Sequence, residues 1–96
     1  MAREVVWTEP AWHDLEAAAE YIARDSEAYA AAFVEEMKAA ATSLAEMGER
    51  GQIVPEIGDT SIRELLVSPY RLVCQLADQE VRILAIIHGA RRARRF

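Results

Sequence analysis

The spacing of the apolar residues changes from a helical period to a strand period partway along the chain, and this change constrains the fold most. Before residue 48, apolar residues recur every three or four positions, as on one face of a helix. After residue 60 they alternate with a period of two, as in strands. Gly48, Gly51 and Pro55 lie between the two patterns and predict a loop over residues 48–60. The sequence therefore predicts an α+β fold in which helices pack on a sheet.

The first half of the chain predicts a short strand followed by two helices. A β-prone run predicts a strand over residues 3–8, and Thr8 and Pro10 are residues that suit the start of a helix over 9–24. Ser26 can cap a second helix, because an apolar stripe follows it. The stripe consists of Tyr29, Phe33, Met37, Ala40, Leu44 and Met47. The short connection between the helices predicts an antiparallel hairpin.

The second half predicts an antiparallel meander of three strands, over residues 61–67, 70–77 and 80–88, with the first strand beside it. If Asp78-Gln79 is a two-residue turn, three cross-strand pairs follow: Gln75 with Arg82, Val73 with Leu84, and Arg71 with Ile86. The apolar face of the sheet, expected against the helices, would then hold Tyr70, Leu72, Cys74, Leu76, Val81, Ile83, Ala85 and Ile87. The other face, with Arg71, Gln75, Arg82 and His88, is the candidate working surface.

The length and the cysteine content exclude several classes of protein. Ninety-six residues predict a single domain, residues 1–96, with a thin core. One cysteine, Cys74, forms no internal disulfide, and no Cys/His set has the spacing of a zinc site. No stretch has the length of a membrane span or the pattern of a secretory signal. We therefore expect a cytoplasmic protein that uses no cofactor and no metal.

The charges are distributed unevenly. The net charge is −5, but residues 1–50 carry 4 Lys or Arg against 11 Asp or Glu, whereas residues 51–96 carry 7 Arg against 5 Asp or Glu. The last six residues contain Arg91, Arg92, Arg94 and Arg95. Such a cluster either contacts phosphates or an acidic partner, or is a solvated tail. The overall acidity argues against a broad surface that coats nucleic acid.

The common catalytic signatures, such as a Gly-rich phosphate loop or a serine nucleophile elbow, are missing from the sequence. The remaining candidates are arginines, which can clamp phosphates or carboxylates, and acid–base groups that can transfer protons. They are Arg63, Arg71 and Arg91 with Glu56, Glu64 and His88. Each has a structural alternative, since Arg71 can pair with Glu64 across a hairpin, and a strand-end histidine is more often a neutral hydrogen-bonded residue.

Several short motifs, in this order along the chain, resemble the RelE/ParE toxin superfamily. They are Trp7-Thr8 before a helix, Leu15 to Tyr21-Ile22, Val54-Pro55-Glu56, Ile62-Arg63-Glu64-Leu65, Tyr70-Arg71-Leu72-Val73 and Ile86-Ile87-His88-Gly89-Ala90-Arg91. The resemblance implies a strand, a helical hairpin and an antiparallel sheet. Periodicity alone predicts the same fold.

The superfamily has two branches with different targets. The RelE branch consists of ribosome-dependent messenger-RNA nucleases, and the ParE branch is associated with inhibition of DNA gyrase. Arg71 and Arg91 match two arginines of the nuclease motif, but Ile62 and Glu64 stand where the nuclease has lysines, and Phe96 stands where it ends in tyrosine. The motif Arg63-Glu64-Leu65, taken with His88-Gly89-Ala90-Arg91, is more similar to the ParE branch.

The resemblance therefore implies the toxin of a type II toxin–antitoxin system, which inhibits growth by binding DNA gyrase and is neutralised in a complex with its antitoxin. The residues implied in target binding are Arg63, Arg71, Arg91, Arg92, Arg94 and Arg95. One alternative is ribosome-dependent RNA cleavage, in which Arg71 and Arg91 hold the phosphate and Glu56, Glu64 or His88 is the acid–base group. A further alternative is a degenerate toxin that survives as a binding module.

Overall fold

Residues 2–89 of the chain are described by a computed structural model, and they form two helices packed on one five-stranded sheet. The elements are β1 (Glu4–Trp7), α1 (Glu9–Ala23), α2 (Glu27–Ser43), a 3-10 turn (Gly48–Arg50), β2 (Gln52–Ile53), β3 (Ile62–Val67), β4 (Tyr70–Leu76) and β5 (Glu80–His88). The strand order is β1-β5-β4-β3-β2. β1 runs parallel to β5, and the other neighbours are antiparallel. The predicted α+β fold, with the first strand beside the meander, is confirmed.

The predicted helix caps are confirmed, and one of them also connects α1 to the sheet. The Thr8 hydroxyl accepts a hydrogen bond from the Ala11 N–H at 3.4 Å and donates one to the Ile83 carbonyl at 2.6 Å. The Ser26 hydroxyl accepts from the Tyr29 N–H at 3.1 Å. The start of α1 is therefore held against β5 by the same side chain that caps the helix.

Two predictions for residues 44–60 are wrong. The apolar stripe of the second helix predicted helical structure through Met47, but α2 ends at Ser43. Met47 lies just before the 3-10 turn, with 54% of its surface exposed. Residues 48–60 are also not entirely loop, because Gln52 and Ile53 pair with Glu64 and Arg63 as the edge strand β2. A strand of two residues has no periodicity of its own, so the alternation of apolar residues could not reveal it.

A β-bulge corrects the predicted register between β4 and β5. Gln75 lies opposite Arg82 as predicted, but the register shifts between Val73 and Cys74, so Val73 faces Ala85 rather than Leu84. The same shift places Arg71 opposite Ile87 rather than Ile86. Because one extra residue inverts the alternation of the following side chains, it also changes which residues of β5 face the helices.

The core has two parts, one on each side of the sheet. The helices and the inner face of the sheet enclose the larger part, which includes Leu15, Met37, Leu72, Ile83 and Ile86. The smaller part lies on the outer face, where the segment after β2 covers the sheet with Val54 and Ile57. Ala85 and Ile87 belong to the outer part, and Ile86 to the inner part, contrary to the predicted faces. The shift follows directly from the bulge.

Candidate functional site

The outer face of the sheet carries an ionic cluster in which Arg71 lies between Glu56 and Glu64. Its guanidinium donates to Glu64 Oε1 at 2.8 Å and to Glu56 Oε2 at 3.1 Å. The three side chains are only 12%, 15% and 17% exposed for Arg71, Glu56 and Glu64 respectively. We call these residues the Arg71 cluster. It joins β3, β4 and the segment that covers the outer face, and it contains one positive and two negative charges.

The surroundings of Arg71 hold it in the charged state. Partial burial lowers the pKa of Arg71, but the hydrogen bonds and the negative charges of Glu56 and Glu64 raise it more, so that its pKa lies above the usual value for arginine. Because the group is charged, enclosed and bound by two carboxylates, it acts first as a connection between elements. The fold therefore contains the pairing of Arg71 with Glu64 that the sequence analysis gave as the structural alternative.

Two further arginines, the candidate Arg63 and the working-surface Arg82, also donate hydrogen bonds within the fold. The Arg63 guanidinium donates to the backbone carbonyls of Thr60, at 2.8 Å, and Gly51, at 3.0 Å. Arg82 donates to Glu80 at 2.5 Å and to Gln75 at 3.3 Å. On this face, Arg71 and Arg82 are each paired with glutamate. Arg63 instead fixes the loop that precedes β3.

His88 does not join the Arg71 cluster. It lies opposite Tyr70, and the two rings meet edge to face with their centroids 5.5 Å apart. Tyr70 in turn packs on Phe33 of α2 with a centroid distance of 5.1 Å. The prediction that His88 lies on the working face with Arg71 is wrong, because the bulge turns the end of β5 over and brings His88 to the helical side.

His88 lies instead at a groove between α1 and the end of β5, which we call the α1–β5 groove. Its volume is about 740 Å³. Its lining includes Asp14, Ala17, Ala18, Tyr21, Tyr70 and His88. The two alanines leave space beside the helix, and Tyr21 is 64% exposed. This groove contains aromatic and polar side chains together.

Asp14 is a site residue that the sequence interpretation missed. Its Oδ2 accepts a hydrogen bond from the backbone N–H of Ile86 at 3.0 Å, so a side chain of α1 binds the edge of the sheet. In the sequence Asp14 reads as one of the polar residues of an amphipathic helix. Its spacing was an available signal, because it lies three residues after Ala11 and four before Ala18, and both of these are buried.

The remaining predicted target-binding residues, Arg91, Arg92, Arg94 and Arg95, lie outside the described residues. Among residues 2–89, no group of three or more His, Cys, Asp or Glu side chains is placed to hold a metal ion. No helix in that same range is long and apolar enough to cross a membrane. Cys74 is buried, and burial raises the pKa of its thiol to about 11.

Comparison with known proteins identifies the family. Residues 5–93 match the model of the family described as the ParE toxin of the type II toxin–antitoxin system, parDE. This match covers nearly the whole chain. The chain belongs to the ParE toxin family. The resemblance to the RelE/ParE superfamily, which was based on short motifs, is thus confirmed.

Two relatives extend this comparison. This ParE family toxin is 40% identical over 89 residues to a protein named Toxin RelE2 from Caulobacter vibrioides, and the aligned region covers 92% of this chain and 97% of the relative. A solved structure described as a chromosomal ParDE toxin–antitoxin system from P. aeruginosa matches with a TM-score of 0.74 and 22% identity, covering 91% of this chain and 96% of the other. At that identity the structural match supports the fold.

Proposed function

We propose that this ParE family toxin acts by binding a protein target, DNA gyrase, without a chemical step of its own, and that a cognate antitoxin neutralises it. The observation that carries the proposal is the enclosure of Arg71 between two glutamates. A nuclease of the RelE type needs this arginine to hold a phosphate. In this chain both terminal nitrogens of its guanidinium donate to carboxylates instead.

The charge of the Arg71 cluster opposes RNA binding. A phosphate that approached Arg71 would meet Glu56 and Glu64 within hydrogen-bonding distance of the same guanidinium. It would have to displace both carboxylates or be repelled by them, since like charges at such distances interact unfavourably by several kcal/mol at roughly the effective dielectric constant of a protein. A toxin that binds a protein surface has no such requirement.

The candidate catalytic residues lie on different sides of the sheet, and this arrangement supports the same proposal. His88 lies on the helical side of the sheet with Tyr70, whereas Glu56 and Glu64 lie on the outer face. General acid–base catalysis requires its groups within hydrogen-bonding reach of one substrate. We therefore do not expect His88 to act on the same phosphodiester as Arg71.

The antitoxin part of the proposal is supported by apolar surface on both layers of the fold. Among residues 2–89, six large hydrophobic side chains are more than two-fifths exposed, and exposed apolar side chains that lie together are typical of surfaces that a partner covers. They are Trp12, Tyr21, Tyr29, Met47, Ile53 and Leu66. The structural neighbour from P. aeruginosa is described as a ParDE toxin–antitoxin system, and we extend that pairing to this chain.

RNA cleavage is the second candidate function, because one relative is named Toxin RelE2 and because Glu56 lies beside Arg71 as a nuclease base would. The two functions are separated by parallel assays. Purified protein is added to a gyrase supercoiling reaction, and messenger-RNA cleavage is mapped on translating ribosomes. We expect loss of supercoiling without RNA cuts.

Matched variants make the outcome specific. Arg71→Ala removes the candidate phosphate-binding group, and Arg82→Ala removes an exposed arginine on the neighbouring strand β5 that is also paired with a glutamate. Cuts in phase with codons that Arg71→Ala abolishes and Arg82→Ala preserves would overturn the proposal. An absence of both activities, with no arrest of growth on expression, would favour the degenerate toxin.

A further inference from the structure

The outer edge of β5 is only partly covered by a neighbouring strand. Among residues 2–89, β1 pairs with β5 from Glu80 to Ile83, and the Thr8 N–H makes the last such bond to the Ile83 carbonyl at 3.1 Å. The chain then leaves the sheet to begin α1. Residues 84–88 of β5 therefore continue past the end of β1 with no described strand on that side. An open edge of this kind presents backbone groups that need partners.

Asp14 supplies a partner at this edge. Its carboxylate reaches from α1 to the Ile86 N–H, at 3.0 Å, two residues before the strand ends at His88. On the opposite edge, the Gly89 N–H donates to the Pro69 carbonyl at 2.7 Å. The end of β5 is thus held from both sides, by a side chain of α1 and by the β3–β4 turn. Immediately after Gly89 the sequence continues as Ala-Arg-Arg-Ala-Arg-Arg-Phe.

We infer that Asp14 is a positioning residue: it fixes the end of β5, after which the sequence continues as the arginine-rich segment, and target binding depends on this fixed end. The inference rests on the proposed function, because it takes that segment as the part that contacts the target. A hydrogen bond to a charged acceptor is stronger than one between neutral groups, so an aspartate is well suited to hold a backbone N–H at an open edge.

Because Asp14 binds the end of β5, its positioning role can be distinguished from a contribution to the core. The fully buried side chains nearest the middle of the sheet, such as Leu72 and Ile83, make their contacts independently of the Asp14 carboxylate. Loss of its hydrogen bond therefore opens the end of β5 locally, where the ladder is already incomplete. Local openings of this kind change amide exchange at the affected residues more than they change global unfolding.

The test uses four variants of the full chain. Asp14→Ala removes the acceptor, Asp14→Glu moves the carboxylate outward by one methylene, and Asp14→Asn keeps an acceptor oxygen without the charge. Glu16→Ala is the control, because Glu16 carries the same charge on the exposed side of the same helix. Each protein is measured for amide exchange at Ile86, for thermal unfolding, for gyrase inhibition and for growth arrest on induction.

We expect Asp14→Ala and Asp14→Glu to exchange the Ile86 amide about 10 to 100 times faster than the unmodified protein, in line with the loss of one charge-assisted hydrogen bond. We expect both to need roughly 10 times more protein for half-inhibition, as a tenfold change corresponds to one such bond. Asp14→Asn should recover part of the potency, because its carbonyl oxygen still accepts the bond without the charge, and Glu16→Ala should match the unmodified protein. If Asp14→Ala does not fold, Asp14→Glu provides the same comparison.

Three outcomes would overturn the inference: full potency of Asp14→Ala or Asp14→Glu despite faster Ile86 exchange, unchanged Ile86 exchange, or a loss of potency in Asp14→Asn equal to that in Asp14→Ala. A chain ending after Ala90 distinguishes this failure from failure of the proposed function. If that truncation removes activity while Asp14→Ala does not, only the positioning role is wrong. If the truncated chain remains as potent as the full chain, the proposed target contact is wrong as well. Growth arrest gives these comparisons without reference to gyrase.

Discussion

Removal of Arg71 should destabilise the protein because it leaves Glu56 and Glu64 close together in a largely enclosed site. All three side chains are more than four-fifths buried, so solvent screens them less than it screens surface ion pairs. Breaking a buried pair by removing one partner costs about 3–5 kcal/mol, and the remaining exposure reduces this to about 2–4 kcal/mol for Arg71→Met. Methionine keeps most of the aliphatic volume, so the loss measures mainly the charge.

The triple variant Arg71→Met, Glu56→Gln, Glu64→Gln tests the cause. It removes the repelling carboxylates together with the arginine, and replacement of a whole buried ionic group is often nearly neutral. We therefore expect the triple variant to recover at least half of the loss. Urea unfolding followed by the fluorescence of Trp7 and Trp12 measures both changes, with Arg82→Met as the control because Arg82 is 46% exposed.

The reasoning is refuted if Arg71→Met lowers the free energy of unfolding by less than about 0.5 kcal/mol, the range of an ordinary surface substitution. It is also refuted if the triple variant is less stable than Arg71→Met. In either case the Arg71 cluster would not connect the covering segment to the sheet. Arg71 would then be available for an anion, and the case against RNA cleavage would lose its main support.

Three further predictions concern single features of the chain. Cys74 is buried with a pKa of about 11, so at pH 8 iodoacetamide should modify it only as fast as the protein unfolds, and urea should accelerate the reaction. The Ser61 N–H and hydroxyl each donate a hydrogen bond to Asp59 at 2.8 Å, and these bonds lower the pKa of Asp59. The contribution of Asp59 to stability should therefore be present above about pH 4 and be lost as the pH falls through its folded-state pKa. Unfolding of Asp59→Ala, compared with the unmodified protein across pH 2–7, checks this. A chain that ends after Ala90 should keep its melting temperature within a few degrees and lose growth arrest, which calorimetry and an induction assay measure.

Periodicity predicts the elements of this fold because each long element has one face against the core. Helices α1 and α2 and strands β3, β4 and β5 all carry such a face, and their predicted bounds agree with the structure to within one or two residues, apart from the end of α2. Met47 continued the apolar stripe without continuing the helix. Periodicity reports burial, and Leu44 is fully buried after the helix has ended. The end of an element depends on backbone geometry, which the stripe does not encode.

The site was less predictable than the fold because its arrangement depends on a register shift of one residue between β4 and β5. A bulge next to Val73 leaves the pairing of Gln75 with Arg82 as predicted and shifts every later pair. Nothing in the local sequence distinguishes the bulge, since Leu84 and Ala85 are both apolar and both fit a strand. Asp14 was missed for a related reason, because a polar residue at the border of a helical stripe is expected to face solvent.

The bulge also decides which functions the candidate residues can share. With regular alternation, Arg71 and His88 would lie on one face and could act on one substrate. With the extra residue, Arg71 remains with Glu56 and Glu64 on the outer face, while His88 packs on Tyr70 beside the α1–β5 groove. The outer face then holds an ionic cluster in which Arg71 donates to two carboxylates, and on the helical side Asp14 binds the end of β5. The bulge therefore separates the two groups that a nuclease would need together.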